Sequence, residues 1–490
     1  MKRRGLCGLL SVAMTAGTMA ANYVPAAADE LEPVTLHFIF YGDKKSATDE
    51  VWDVIADYTR DTLNCDFDVQ FIAGSDYKNK LTVMAATGDT WDMNFDSNWT
   101  GIYQMMAKDA YMNLDELLPE YAPDLYAKYE ETGILDSAKN KGHIVCLPWT
   151  MTMNNRPFIQ WRGDLAEKAG IEVDKDNLND LEGVDKLLHQ LKEAYPDKYI
   201  IESCGLVSAG WMSVDDDMGL YIDLSDPECK VVPAEEIPDY VEGCEYAQKW
   251  QEDGIIWKDI LTDNLDKNSL INEGKLLTKW GTHEFAHSNR PWVEEGAYWD
   301  YTEIYSDRLY ANRTPLANAM AISATSENPE RTLMFLNMLE NDETLYDMVQ
   351  YGIEGKTYVL NGEEAAYPEG MDGASSNYMG WGGQWKPQFM RPTESYSEGF
   401  WEEEAAYAAS SDKNIVSPLE GFSFDATNVT TEVAQRNQIF GDANKLLKVG
   451  LAGDADEAIE KLKSDSESAN FDAVLEEFQK QIDEFLAAKN

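Results

Sequence analysis

Residues 81–99, LTVMAATGDTWDMNFDSNW, decide how this chain reads. Leu81, Met84 and Ala85 recur at helical spacing, and Gly88 followed by Asp89 supplies a stop and a turn. Met93 and Phe95 then alternate with polar neighbours until Asp96-Ser97-Asn98 breaks the run. The pattern predicts a helix, a turn and a buried strand whose carboxyl end delivers a carboxylate, an amide and an indole. In an open α/β sheet that edge is where ligands are received. Asp96, Asn98 and Trp99 are therefore expected to form one wall of a cleft.

The neighbouring segments extend the same rhythm. Val34 to Phe40, VTLHFIF, predicts a strand running into Tyr41-Gly42-Asp43-Lys44, followed by a helix with Val51, Trp52, Ile55 and Tyr58 on one face. Cys65 to Ile72, CDFDVQFI, alternates as a second strand. This β-α-β-α-β order is the sequence form of a parallel sheet covered by helices, and it sets Tyr41, Asp43 and Lys44 on the edge that carries Asp96 to Trp99. Further on, His143 to Trp149 predicts a strand stopped by Pro148, and Phe158 to Trp161 a second one. A strand, a break and another strand is how a chain passes between two lobes. Strands are also expected ending at Trp280 and over Ala317 to Ser323. Helices are expected over Leu165 to Gly170, Val184 to Tyr195, Pro329 to Tyr351, Thr430 to Leu451 and Phe471 to Ala488. Gly370 to Trp385 is rich in glycine and tryptophan and reads as irregular.

The chain has 490 residues, enough for more than one core, and 44% of them are hydrophobic. A formal charge of −49 argues against nucleic acid and anionic membrane surfaces, which it would repel. Lys2, Arg3 and Arg4, an apolar run from Leu6 to Ala21, and Ala26-Ala27-Ala28 before Asp29 compose a secretory signal, with cleavage expected after Ala28. No later apolar stretch reaches the roughly 18 residues of a membrane span. Cys7 precedes the apolar run and is badly placed for lipid attachment. Cys65, Cys146, Cys204, Cys229 and Cys244 are odd in number and widely spaced, against both a disulfide framework and a Cys-x-x-Cys metal site. Either one Cys229–Cys244 bridge or buried free thiols would satisfy them.

The order of these features resembles the extracellular solute-binding proteins of bacterial ABC importers, in particular their large oligosaccharide-binding group. The resemblance rests on Gly42-Asp43-Lys44, on Ala86-Thr87-Gly88-Asp89, and on Trp91-Asp92-Met93-Asn94-Phe95. It continues through Asn113 to Leu118, His143 to Pro148 and Phe335-Leu336-Asn337-Met338-Leu339. Tyr351 to Lys356, and the tail opening Gly421-Phe422-Ser423-Phe424-Asp425, look like that group's added C-terminal region. The chain departs from it at the start, where relatives commonly carry a lipid-attachment cysteine. The resemblance implies an α/β, two-lobe, periplasmic-binding-protein-like fold with a hinge and a helical C-terminal region. A signal over 1–28 precedes a first lobe of 29–150 with 315–375 and a second of 151–314 with 376–490. It implies a monomer without cofactors outside the cytoplasm, which binds an oligosaccharide, leaves it unchanged and passes it to membrane permease subunits.

The residues fit that chemistry independently. A pyranose has apolar C–H faces and a ring of hydroxyls, so its binder needs flat aromatic platforms beside carboxylates, amides and cations. Trp99, Trp149, Trp211, Trp280, Trp381 and Trp385 lie at strand ends or in irregular segments and are the expected platforms, with Tyr41; Trp52 and Trp250 lie in helical patterns and are expected in the core. Asp43, Lys44, Asp96, Asn98 and Arg391 are the expected hydroxyl partners, although a strand-end aspartate also serves as a helix cap. Two other chemistries compete. His283-Glu284-Phe285-Ala286-His287 matches the H-E-x-x-H zinc motif of metalloproteases, with His283 and His287 as ligands. Gly281 before it and Asn289-Arg290-Pro291 after it leave little helix to carry that motif, and His283 and Glu284 are instead expected to line the sugar cleft beside Trp280. A glycoside hydrolase would need a carboxylate pair at defined separation. An enzyme consumes its oligosaccharide and a receptor returns it, and the receptor is the expectation here.

Overall fold

The computed structural model describes residues 31–149, 156–205, 209–263, 265, 267–282, 296–312, 314–373, 375–381, 387–393, 396, 399–410 and 412–489. The expected signal, the H-E-x-x-H segment and Trp385 lie outside them.

The first lobe grows from the opening strands. β1 (Val34–Tyr41), α1 (Thr48–Leu63), β2 (Cys65–Ile72), α2 (Gly74–Thr87) and β3 (Met93–Asp96) follow one another as the periodicity requires. β1 pairs in parallel with β2 from Val34–Cys65 to Tyr41–Ile72, and on its other side with β3 at Phe38–Met93. The sheet is completed by a strand from far along the chain, Ala319–Ile322, antiparallel to β3, and beyond it by Leu147–Pro148. His143 to Trp149 is thus two short strand pieces rather than one strand, because Ile144 pairs with Lys139 while Leu147 pairs with Met320. Val51, Trp52 and Ile55 of α1 turn inward, and Trp52 meets Phe38 edge-on at 6.0 Å. The helices Pro329–Asn341 and Glu343–Tyr351 close the core with Phe335, Leu336, Leu339 and Leu345. Tyr378 and Trp381 belong to this core too, past the expected boundary at 375.

In the second lobe Pro157–Arg162 is a central strand between Thr278–Thr282 and Trp299–Glu303, both antiparallel to it. Ile159 and Trp161 point into a core made with Leu187, Leu188 and Leu191 of the helix Leu181–Ala194 and with Trp250. The opposite face mixes aromatic and polar groups: Phe158 meets Tyr301 there at 5.7 Å, and Gln160 and Arg162 are buried on it. There Lys279 lies beside Gln160, is only 7% exposed, and sets its ammonium 4.9 Å from the ring centre of Trp299. Burial, with Lys267 nearby, lowers its pKa to about 8.

A smaller sheet of Trp211–Asp215, Leu220–Asp223 and Val231–Pro233 packs against three C-terminal helices, Thr430–Leu447, Ala455–Ser468 and Phe471–Lys489. The middle helix escapes the sequence reading because it buries only Ala455, Ile459, Leu462 and Ser466, a thin stripe in a charged background, and it starts at an Asp454 cap. One buried ion pair locks the region to the lobe. Arg436 meets Glu235 at 2.6 and 2.8 Å, donates to Ser466 and the Met218 carbonyl, and lies between Phe440 and Phe471. All five described cysteines are buried free thiols; Cys229 and Cys244 sit in different clusters.

Removing one partner of the buried pair strands the other's charge in the interior. Arg436→Met is expected to lower unfolding stability in urea by roughly 3–5 kcal/mol, and Arg436→Met with Glu235→Leu by clearly less. Lys279 gives a prediction with a definite sign. Its folded-state pKa lies below the unfolded value of about 10.4, so its contribution to stability is full above that value and is lost as pH falls through about 8. Lys279→Met should therefore raise stability at pH 7 by about 1–3 kcal/mol, with the gain fading by pH 10, as urea titrations at the two pH values would show.

Candidate functional site

The carboxyl ends of β1 and β3 emerge side by side because the two strands pair in parallel. The chain there is forced into the open by the turns that follow, and it brings five aromatic rings together. Phe95, 6% exposed, is the floor. Tyr41, Trp99 and Trp149 stand around it at 6.3, 5.8 and 5.7 Å, and Tyr77 supports Tyr41 from below at 5.3 Å. Trp99 meets Tyr41 edge-on at 5.0 Å. These two rings are 47% and 37% exposed, among the largest apolar side chains the described surface shows. Burial of such rings is the rule, so an exposed pair on a sheet edge marks a contact surface.

The pair is held rigidly. The Trp99 indole N–H donates to the Ala317 carbonyl at 3.0 Å, Asn98 N–H to Leu316 at 2.9 Å, and Trp149 N–H to Asn318 at 2.9 Å. The platform is thus tied to the segment by which the chain returns from the second lobe. Gly74, the first residue of α2, touches the Tyr41 hydroxyl so closely that any Cβ there would collide with it. That glycine was not singled out from the sequence; its place directly after a strand was the available signal.

Asp43, Lys44 and Asn98 lie exposed on this edge, with Lys44 Nζ 2.6 Å from Asp49. Asp96 does not join them, contrary to the sequence expectation. It is fully buried and accepts hydrogen bonds from the Tyr111 hydroxyl, from Thr100 at 2.5 Å and from the Ser97 N–H at 2.8 Å. Burial raises its pKa, against the pull of those donors. Its carboxylate buckles the chain from β3 into the following turn, which is what aims Trp99 outward.

Three other expected residues also fall elsewhere. Trp381 is 6% exposed and packs on Phe40 at 4.8 Å, since an irregular glycine-rich segment can bury an anchor as well as present one. Arg391 is engaged by Asp347 at 2.7 and 2.9 Å, beneath the helix Glu343–Tyr351. Trp211 is partly buried against the core cluster shared with the C-terminal helices. In the second lobe, Thr278–Thr282 continues a segment that pairs in parallel at Tyr199–Leu276, so Glu202, Ser203 and Trp280 come to one carboxyl edge. Trp280 is half-buried there, donating to the Ser203 carbonyl at 2.9 Å and lying against Gly205. His283, Glu284, His287 and Trp385 are outside the described residues. Among the described residues no group of three or more side chains is arranged to hold a metal ion. The arrangement can grip a flat, partly apolar, hydroxyl-bearing molecule.

Comparison with known proteins bears on the fold and the family. A carbohydrate ABC transporter substrate-binding protein of Streptococcus pneumoniae serotype 4 is 27% identical over 495 residues, spanning 98% of this chain and 97% of the relative. The crystal structure of an N-glycan transport solute binding protein from Streptococcus pneumoniae matches with a TM-score of 0.78 at 24% identity, covering 94% of this chain and all of the other. The same protein in complex with Man5GlcNAc matches at 0.66, with 25% identity over the same shares. An HMO-binding solute-binding protein from Bifidobacterium longum infantis matches at 0.62 and 12% identity, over 93% of this chain and 99% of that one. Residues 418–487 match a domain of unknown function. Residues 44–344, well over half of the chain, match the bacterial extracellular solute-binding protein family, and this protein is a member of it.

Proposed function

We propose that this protein is the substrate-binding component of an ABC importer and captures an oligosaccharide between its lobes without altering it. The exposed Trp99–Tyr41 pair on the first-lobe sheet edge carries the reading. A sugar ring laid on an indole buries its C–H face while its hydroxyls reach Asp43, Asn98 and the opposite lobe. The relatives support it, since those named above are described as binding or transporting carbohydrates. They lend nothing to the metalloprotease or glycosidase alternatives.

Closure about the hinge is part of the proposal. The N-glycan transport relative matches this chain at TM-scores of 0.78, 0.69 and 0.66 in three structures, two of them complexes with Man1GlcNAc and Man5GlcNAc. A binder that adopts a second lobe arrangement with its ligand gives a permease something to sense. The family is extracellular, and no described helix is long and apolar enough to cross a membrane. Export with cleavage after Ala28, a monomeric state and contact with permease subunits complete the reading, with 29–150 and a return segment running from 315 past 375 to Trp381 as one lobe and most of the remaining exported chain as the other.

A thermal-shift screen of the chain from Asp29 onward against neutral oligosaccharides, Man5GlcNAc first, tests the function. Ligand binding raises the melting temperature by mass action, and the glycan should be recovered uncut. No shift with any glycan, or a cleaved product, rejects the proposal. Trp99→Ala should weaken glycan binding by roughly tenfold or more, while the ligand-free melting temperature moves by no more than about 2 °C, because half of the indole is already in water.

A further inference from the structure

The C-terminal region of unknown function has two flanks. One is fused to the second lobe through the small sheet and the Arg436–Glu235 pair. The other faces the first lobe across a groove of about 540 Å³. Tyr103, Ala107, Ser137 and Asn140 form the first-lobe wall; Phe422, Glu477, Glu484 and Phe485 form the other. At one end a relay spans the gap. The Tyr103 hydroxyl is 3.4 Å from Thr314 Oγ1, which donates to the Glu420 carboxylate. Thr314 lies on the segment returning from the second lobe to the first.

The groove begins at Tyr103 beside the crossing and runs along Ala107, Ser137 and Asn140. The helix Ile102–Ala107 starts beside Trp99 at the ligand edge and descends the lobe, since Met112, a few residues past it, bonds to Ile322 at the opposite edge of the sheet. Asn140 is fixed to this helix through the Met106 carbonyl at 2.7 Å. With the groove running down the lobe from the ligand edge, a rotation that lowers the second lobe onto Trp99 and Tyr41 would draw Glu477 and Glu484 away from Ala107 and Ser137, and opening would bring them together.

We propose that the C-terminal region is an opening stop: the closest approach of its last helix to the Ala107–Ser137 wall sets how far the lobes part at rest. The fraction of closing-competent molecules scales the apparent affinity, so the stop also tunes ligand binding; that second statement rests on the oligosaccharide reading, the first does not.

Ala107 is exposed at the end of its helix and away from the platform, so charge can be placed there without disturbing a core. The facing wall is acidic, with Lys480 already held by Glu477 at 3.3 Å. Ala107→Lys should draw the walls together and open the lobes; Ala107→Glu should push them apart and favour closure. X-ray scattering of the ligand-free variants should show a larger radius of gyration for the lysine variant and a smaller one for the glutamate variant. Titration with Man5GlcNAc should show dissociation constants shifted about two- to fivefold, weaker for lysine and tighter for glutamate. Both shifts should vanish in 1 M salt, where the screening length is about 3 Å. Shifts of the same sign in both variants, shifts that survive salt, or no shift in scattering overturn the stop. Opposite scattering shifts without glycan binding uphold the stop and reject the oligosaccharide reading.

Discussion

The antiparallel pairing of β3 with Ala319–Ile322 holds this molecule's working parts in place. It seats Asp96 opposite Ala319 and Met93 opposite Ile322, so the fourth strand of the first sheet comes from a segment the chain reaches only after building most of the second lobe. The pairing therefore makes a second covalent link between lobes unavoidable. It also supplies the carbonyls of Leu316, Ala317 and Asn318 that hold Asn98, Trp99 and Trp149. Hinge and platform are thus one hydrogen-bonded unit. Among the described residues, the hydrogen bonds at Leu316, Ala317 and Asn318 tie the crossing directly to the ligand edge.

Two buried polar groups sit where orientation matters. Asp96 is surrounded by donors at the turn that aims Trp99. Arg436 has a carboxylate, a hydroxyl and a carbonyl where the C-terminal helices meet the small sheet. Unmaking either contact exposes a desolvated group, which makes these joints stiff rather than merely stable. Lys279 is the contrast, softened by burial instead of neutralised by a partner acid.

Much of this was legible in the residues. Period-two and helical patterns gave β1, α1, β2 and β3 because each buries one face, and Trp52 and Trp250 were readable as core because they lie on helical stripes. The aromatic edge was legible for a related reason: Tyr41 ends one strand and Trp99 lies in the turn after another, where no stripe claims them. What failed was anything requiring a partner distant in the chain. Asp96 looked like a surface carboxylate because the Tyr111 hydroxyl that claims it is invisible in a local pattern. Trp381 and Arg391 were misjudged in the same way, since Phe40 and Asp347 determine their positions. The helix Ala455–Ser468 was lost because its apolar stripe is too narrow to rise above its charged faces.

The five buried thiols carry a consequence of a different kind. Burial pushes the Cys65 and Cys244 thiols up to about 12 and raises those of Cys146 and Cys204 as well, so the reactive thiolate is scarce at these four. They behave as small apolar fillers. With its described cysteines buried and outside any disulfide, the described fold depends on no oxidative pairing step, and a change in the redox potential around it meets no exposed thiol among those residues.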